Sequence, residues 1–155
     1  PHMNNIAAKA IAFGEALKPS FRKYAKQILK NAKVMEKELI KHGFKLMFEG
    51  TDNHMVLVDV YESKGVTGKE AEIALDKVGI TLNKNMVPDD SRGPMDPSGI
   101  RIGVPAITTR GMKEKEIKII CKWIKDAIKN RNNEKLLKKI RKDVVKMCKK
   151  FPIYK

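Results

Sequence analysis

The chain has two cysteines, one tryptophan and an aromatic content of 6% in 155 residues, and no apolar run approaches the roughly 18 residues of a membrane span. Each scarcity excludes something. Cys121 and Cys148 lie in helical patterns near the C-terminal end, which reads as reduced core residues of a cytoplasmic protein rather than a disulfide framework. No His/Cys/Asp cluster has metal-ligand spacing, no Gly-rich loop of phosphate-binding type occurs, and no secretory signal is visible. No internal repeat or low-complexity tract interrupts the chain.

What is abundant is positive charge. With 42% hydrophobic and 33% charged residues the chain reads as soluble and globular, and its formal net charge is +15. At this length a single domain buries roughly 68–70% of the surface its unfolded form exposes. The charge is uneven: residues 1–50 carry 10 Lys and Arg against 4 Asp and Glu, residues 51–110 carry 7 against 9, and the remainder 16 against 5. Most of the excess is therefore C-terminal lysine, a compact point charge with few aromatics beside it for base stacking. A noncatalytic basic module binding RNA or other polyanions is the alternative function that this charge supports, although such charge is usually a solvated face. A third reading is an enzyme remnant that regulates an intact subunit by pairing with it.

Periodicity predicts a helical segment from Asn4 to His42, broken at Lys18-Pro19-Ser20 and stopped by Gly43, with Ile28, Ala32, Met35 and Leu39 on one face. Phe44–Phe48 and Met55–Tyr61 read as strands. Thr67 and Glu70 form a capping box for a helix to Lys77, ended by Gly79 and followed by an extended Ile80–Leu82. Residues 83–97, with three prolines and one glycine, read as a shaped loop. Ser98–Gly103 is a short strand with Ile100 and Ile102 facing one way and Arg101 the other. After a turn at Pro105, Lys113–Lys129 is a helix with Ile117, Ile120, Ile124 and Ile128 inward. Asn132 and Asn133 cap a last helix with Leu137, Ile140, Val144 and Met147 inward. Short strands among longer helices in this order imply an α+β fold, a few-stranded and largely antiparallel sheet covered by helices on one side.

Arg101 is the first candidate site residue. A guanidinium offers two parallel donors that match a carboxylate and keeps its charge, and a glycine on either side leaves room for a ligand. The plainer reading is a surface arginine on an edge strand.

Gly50-Thr51-Asp52-Asn53-His54, Thr67-Gly68-Lys69-Glu70-Ala71-Glu72, Thr81-Leu82-Asn83-Lys84-Asn85 through Pro88, Ser98-Gly99-Ile100-Arg101-Ile102-Gly103 and Pro105-Ala106-Ile107-Thr108-Thr109-Arg110-Gly111 together resemble serine hydroxymethyltransferase, in that family's order and spacing. The resemblance runs from about Asn5 to Tyr154 and concerns the C-terminal portion only. It implies the small C-terminal domain of a fold-type I pyridoxal phosphate enzyme. Residues 1–3 are set apart as an expression-tag remnant, 4–42 as a helical segment bridging from a missing large domain, and 43–155 as the small domain. In an isolated fragment that bridging helix is expected to expose an apolar stripe around Ile6, Ala10 and Phe13.

The family interconverts serine and glycine with one-carbon transfer to tetrahydrofolate, with pyridoxal phosphate as electron sink. The resemblance makes Arg101 the holder of the substrate carboxylate, Arg110 a supporting residue that orients it, and Asn85 the hydrogen-bonding partner of the folate pterin. Read by itself, Asn85 is a turn asparagine. His54 is expected to tie a loop to the following strand rather than act as a base. The Thr-Thr-Thr-His-Lys run that carries the family's cofactor lysine is absent, so the fragment alone is expected to be inactive and to hold no covalently bound pyridoxal phosphate. A complete enzyme is expected to be a homodimer acting on serine, glycine and folate. Met86 and Asp96-Pro97 depart from the family's usual residues, which bears on the folate contacts.

Overall fold

The computed structural model describes residues 2–153, so Pro1, in the stretch expected to be a tag remnant, and Tyr154, at the end of the resemblance, lie outside the described residues. Helices α1 (Met3–Ala16) and α2 (Pro19–Lys41) flank the expected break, where Pro19 at the first position of α2 has no amide to leave unbonded. Helix α2 ends as its glycine predicts: Gly43 takes φ 74°, its amide donates to the Ile40 carbonyl at 2.8 Å, and the Phe44 amide donates to Leu39 at 3.0 Å. Strands β1 (Lys45–Leu46), β2 (Met55–Asp59), β3 (Asn83–Asn85) and β4 (Gly99–Gly103) form one sheet in the order β1-β2-β4-β3, with every neighbouring pair antiparallel. Between them and after them come α3 (Val60–Lys64), α4 (Gly68–Lys77), α5 (Pro105–Thr109), α6 (Glu114–Lys129) and α7 (Glu134–Lys150).

The sheet is one-sided. Leu46, Val56, Val58, Ile100 and Ile102 point from alternate positions into a core shared with Ala32, Met35 and Leu39 of α2, Ala71 and Leu75 of α4, and Ile117 and Ile124 of α6. The inward stripe of α7 contributes Leu137, Ile140 and Val144, with Met147 half-buried at its end. A buried amide links α2 to the other side of the core: Asn31 Nδ2 donates to Thr108 Oγ1 at 2.9 Å and to the Met112 carbonyl at 3.1 Å, while its Oδ1 accepts from Gln27 at 3.0 Å. All of its main valences are used, which is what makes a buried asparagine tolerable. Cys121 and Cys148 are both free, and burial pushes the Cys121 thiol up to about 12.

Several expected boundaries move, each for a local reason. The strand expected over Phe44–Phe48 stops at Leu46 because Phe48 and Glu49 adopt left-handed backbone, φ 57° and 58°, in a short 3₁₀ turn. The strand expected to reach Tyr61 stops at Asp59, whose carboxylate accepts the Glu62 amide at 2.9 Å and so caps α3. The extended piece expected at Ile80–Leu82 is not a strand. The Ile80 amide still closes α4 on the Leu75 carbonyl at 3.0 Å, and pairing begins at Asn83 inside the stretch expected to be loop. The turn at Pro105 is the first position of a short helix. The Thr67–Glu70 capping box and the Asn133 cap form as expected, Asn133 Oδ1 accepting the Leu136 amide at 3.1 Å.

Helix α1 buries no residue, and Ile6, Ala10, Phe13 and Leu17 stand exposed along it at helical spacing.

Candidate functional site

The face of the sheet away from the core carries the candidate residues. In β4 the side chains of Ile100 and Ile102 are buried, which leaves Arg101 exposed on the opposite face. Arg101 stands directly across from Leu57 of β2 and from Asn83 of β3. Antiparallel registry therefore lines up Arg101, Leu57, Met55, Asn83 and Asn85 on one surface, since residues opposite one another share a face. A pocket of about 350 Å³ opens there, lined by His54, Met55, Thr81, Leu82, Asn83, Arg101 and Gly103. Arg101 is the one Arg, Lys, Asp or Glu side chain in that lining.

The two glycines beside Arg101 have different jobs. A Cβ on Gly103 would meet nothing closer than Pro105 Cδ at 3.7 Å, so that side is open and forms pocket wall. A Cβ on Gly99 would come within 2.7 Å of Val87 Cγ1 and 2.8 Å of the Asn85 carbonyl. The room expected for a ligand on that side is filled by the protein's own loop. Gly68, at the start of α4, packs against the same strand so closely that its Cβ would lie 2.1 Å from the Gly99 carbonyl oxygen.

Asn85 lies on the same face, one alternate position along β3 from Asn83, and its Nδ2 donates to the Met86 carbonyl at 2.6 Å. This places it at the mouth of the 86–98 loop. The loop is held by one carboxylate: Asp90 accepts the Ser98 amide at 2.9 Å, the Ser98 hydroxyl at 2.7 Å, the Arg92 amide at 3.0 Å and the Val87 amide at 3.2 Å. Burial alone would raise its pKa, but these donors favour the anion and hold it at about 2. The residues that depart from the family pattern have a role here. Asp96 pairs with Arg92, whose Nε also donates to the Asp96 carbonyl at 2.9 Å and whose guanidinium sits 4.8 Å from the centre of the Tyr61 ring. The Pro97 carbonyl accepts the Gly68 amide at 2.7 Å.

His54 lines the pocket with its imidazole exposed. The tie expected of it is made by its backbone instead, its carbonyl accepting the Val104 amide at 3.0 Å. Arg110 is turned elsewhere: Nε donates to the Phe151 carbonyl at 2.8 Å and Nη2 to the Cys148 carbonyl at 3.0 Å, so it closes the C-terminal end of α7. Asn83 and Thr81, which sequence reasoning passed over, are brought beside Arg101. The usable signal was the Thr81-Leu82-Asn83 run, but Asn-Lys-Asn has poor strand propensity and reads as loop until its partner strand is known.

The family model for serine hydroxymethyltransferase matches residues 1–124. The chain belongs to the serine hydroxymethyltransferase family. It is 52% identical over 154 residues to the serine hydroxymethyltransferase of Acidobacterium capsulatum, an alignment covering 99% of this chain and 36% of that relative. The chain thus spans little more than a third of the relative's length, and its α+β architecture is that of the family's C-terminal domain. No helix among the described residues is long and apolar enough to cross a membrane, and no group of three or more His, Cys, Asp or Glu side chains among them is placed to hold a metal ion.

Proposed function

We propose that this chain is the part of a serine hydroxymethyltransferase that holds the substrate carboxylate and contributes to folate binding, in an enzyme that interconverts serine and glycine with one-carbon transfer to tetrahydrofolate. The observation that carries the proposal is the placement of Arg101: a charged fork in a half-apolar pocket to which no other Lys, Arg, Asp or Glu side chain contributes, with open pocket beside Gly103. A guanidinium in that setting binds a carboxylate through two charge-assisted hydrogen bonds and fixes the orientation of the amino acid it belongs to. Asn83 and Asn85 add amides, each with donor and acceptor, to the same surface, and a heterocycle such as the pterin needs both.

Pyridoxal phosphate supplies the electron sink in this chemistry. The residues present do not fit it, since no lysine lines the pocket to join the cofactor covalently. Under this proposal the cofactor belongs to the larger domain, the isolated chain is inactive, and the exposed Ile6, Ala10, Phe13 and Leu17 stripe of α1 is the surface that meets that domain. Arg110 acts at a distance, by seating the end of α7 against α5.

The experiment is a glycine titration, followed by the cofactor spectrum, in a protein where this chain is joined to the family's large domain. Arg101→Ala is expected to weaken glycine binding by about 1.5–3 kcal/mol, and Arg101→Lys to fail as well because a point charge cannot reproduce the fork. Binding of an amine without a carboxylate is expected to be unchanged. Unaltered glycine affinity in a folded, cofactor-loaded Arg101→Ala protein rejects the proposal. For the folate contact, Asn85→Ala is expected to reduce folate-dependent turnover while sparing cleavage of a 3-hydroxy amino acid.

A further inference from the structure

A second concavity shares no residue with the Arg101 pocket. It has a volume of about 550 Å³ and lies where the C-terminal end of α2, the end of α3 and the last turns of α6 converge. Its lining carries the charged Lys64, Lys125, Lys129 and Arg131 and the imidazole of His42, and no carboxylate belongs to it. Val66 and Ile128, both almost fully buried, make an apolar floor. Low-dielectric walls under one sign of charge concentrate the field in the opening.

These cations are clustered around one opening, and one of them is anchored. Lys64 is fixed in place: its Nζ donates to the His42 carbonyl at 2.9 Å and rests 4.7 Å from the centre of the Phe44 ring. Lys125 has a partial partner in Asp126 at 3.3 Å, and Arg131 a long one in Glu70 at 3.9 Å. Lys64 and Lys129 have no carboxylate partner among the described residues. Burial and the neighbouring lysines act in the same direction on Lys64 and His42. Burial, then Lys125 and Lys129, lower the pKa of Lys64. Burial, then Lys125 and Lys41, lower that of His42 against the opposing pull of Glu38 and Asp126. Asp126 and Glu70 offset only part of the positive charge around the pocket, and an anion in the opening would offset the rest.

We propose that this pocket is a binding site for a small polyvalent phosphate anion, distinct from the substrate site. Its size falls within the range of about 300–1,000 Å³ usual for small-ligand sites. It has no aromatic lining on which the bases of a nucleic acid would stack, so the phosphate group itself is what it recognises. Binding draws a proton onto His42, whose imidazolium adds a further positive charge to the site.

Calorimetric titration of the 155-residue chain with inorganic tripolyphosphate at about 0.15 M ionic strength tests this. One ion per chain is expected to bind. Lys125→Gln combined with Lys129→Gln, two exposed or half-exposed positions on α6, is expected to weaken that binding by about tenfold or more, as charge-assisted contacts do. Lys146→Gln combined with Lys149→Gln on α7 removes equal charge outside the pocket and is expected to leave it unchanged. In parallel, NMR titration is expected to show the His42 pKa rising with tripolyphosphate. Equal losses in the two double variants, more than one ion per chain, an unmoved His42, or tighter binding of a single-stranded RNA that competes with tripolyphosphate each overturn the proposal, the last in favour of a nucleic-acid surface.

Discussion

The two faces of the sheet are built on the same backbone and differ in everything else. One face presents Val56, Val58, Ile100 and Ile102, each 5% exposed or less, to a helical layer. The other presents Met55, Leu57, Asn83, Asn85 and Arg101, each exposed or half-buried. Because side chains alternate, the core face fixes the register, and the register then places the open face without further cost in specificity. Arg101 is where it is because Ile100 and Ile102 are where they are. The comparison predicts that stability and ligand binding separate cleanly between neighbouring residues of one strand.

The strongest way to break that separation is Ile100→Ala. It leaves a cavity between β4 and the helices and is expected to cost about 2–5 kcal/mol in urea unfolding. A loss below 1 kcal/mol, of the order expected at an exposed site, contradicts a one-sided sheet.

Next in size is Asp90→Ala, which removes the acceptor of four hydrogen bonds at the edge of the open face. It is expected to cost about 1.5–3 kcal/mol. The pH dependence follows from the same carboxylate. Its folded pKa of about 2 lies below the ordinary 3.8, so its contribution is present above about pH 4 and is lost as pH falls towards 2. Acid titration of unfolding should show a shallower slope in that window for Asp90→Ala than for the parent chain. Identical acid slopes would remove Asp90 from the account of the loop.

Gly99→Ala and Gly103→Ala sharpen the comparison within one face. The first forces a methyl group into Val87 and the Asn85 carbonyl and is expected to cost about 1–3 kcal/mol, while the second makes only ordinary contact with Pro105 Cδ at 3.7 Å and stays within about 0.5 kcal/mol. The smallest effect is expected for Arg101→Ala on stability, again within about 0.5 kcal/mol by denaturant titration, in contrast to the large effect proposed for glycine binding. A large destabilisation there would make Arg101 a structural residue.

The helices were legible because each carries its own punctuation: Pro19, Gly43, the Thr67–Glu70 box and Asn133 fix ends that local chemistry decides. The strands were less so. Strand β3 is made of Asn-Lys-Asn and exists only because β4 lies beside it, which no local pattern discloses. Phe48 and Glu49 look like strand and turn left-handed, and Tyr61 looks like strand and belongs to a helix that Asp59 caps. At the site, alternation gave Arg101 its face, and resemblance gave it a role. The position of Arg110 at the end of α7 depends on a contact 38 to 41 residues away in sequence, and so does not show in the motif around it. Asn83 was hidden for the same reason as β3.

The Asp90 clasp also decides where the chain can be lengthened. The bond from Asp90 to Ser98 closes the loop over a separation of eight residues, so the long excursion between β3 and β4 is in effect two short ones joined at a knot. Extra residues on the β3 side of the knot would have to pass the Val87 contact that Gly99 admits. Extra residues at Gly93 meet empty space, and enlarging an already closed loop adds only about 0.6 kcal/mol of closure entropy per doubling of its length. A reporter peptide or a second domain grafted at Gly93 should therefore leave the Arg101 face in register, where the same graft three or four residues earlier would pull Asn85 away from it.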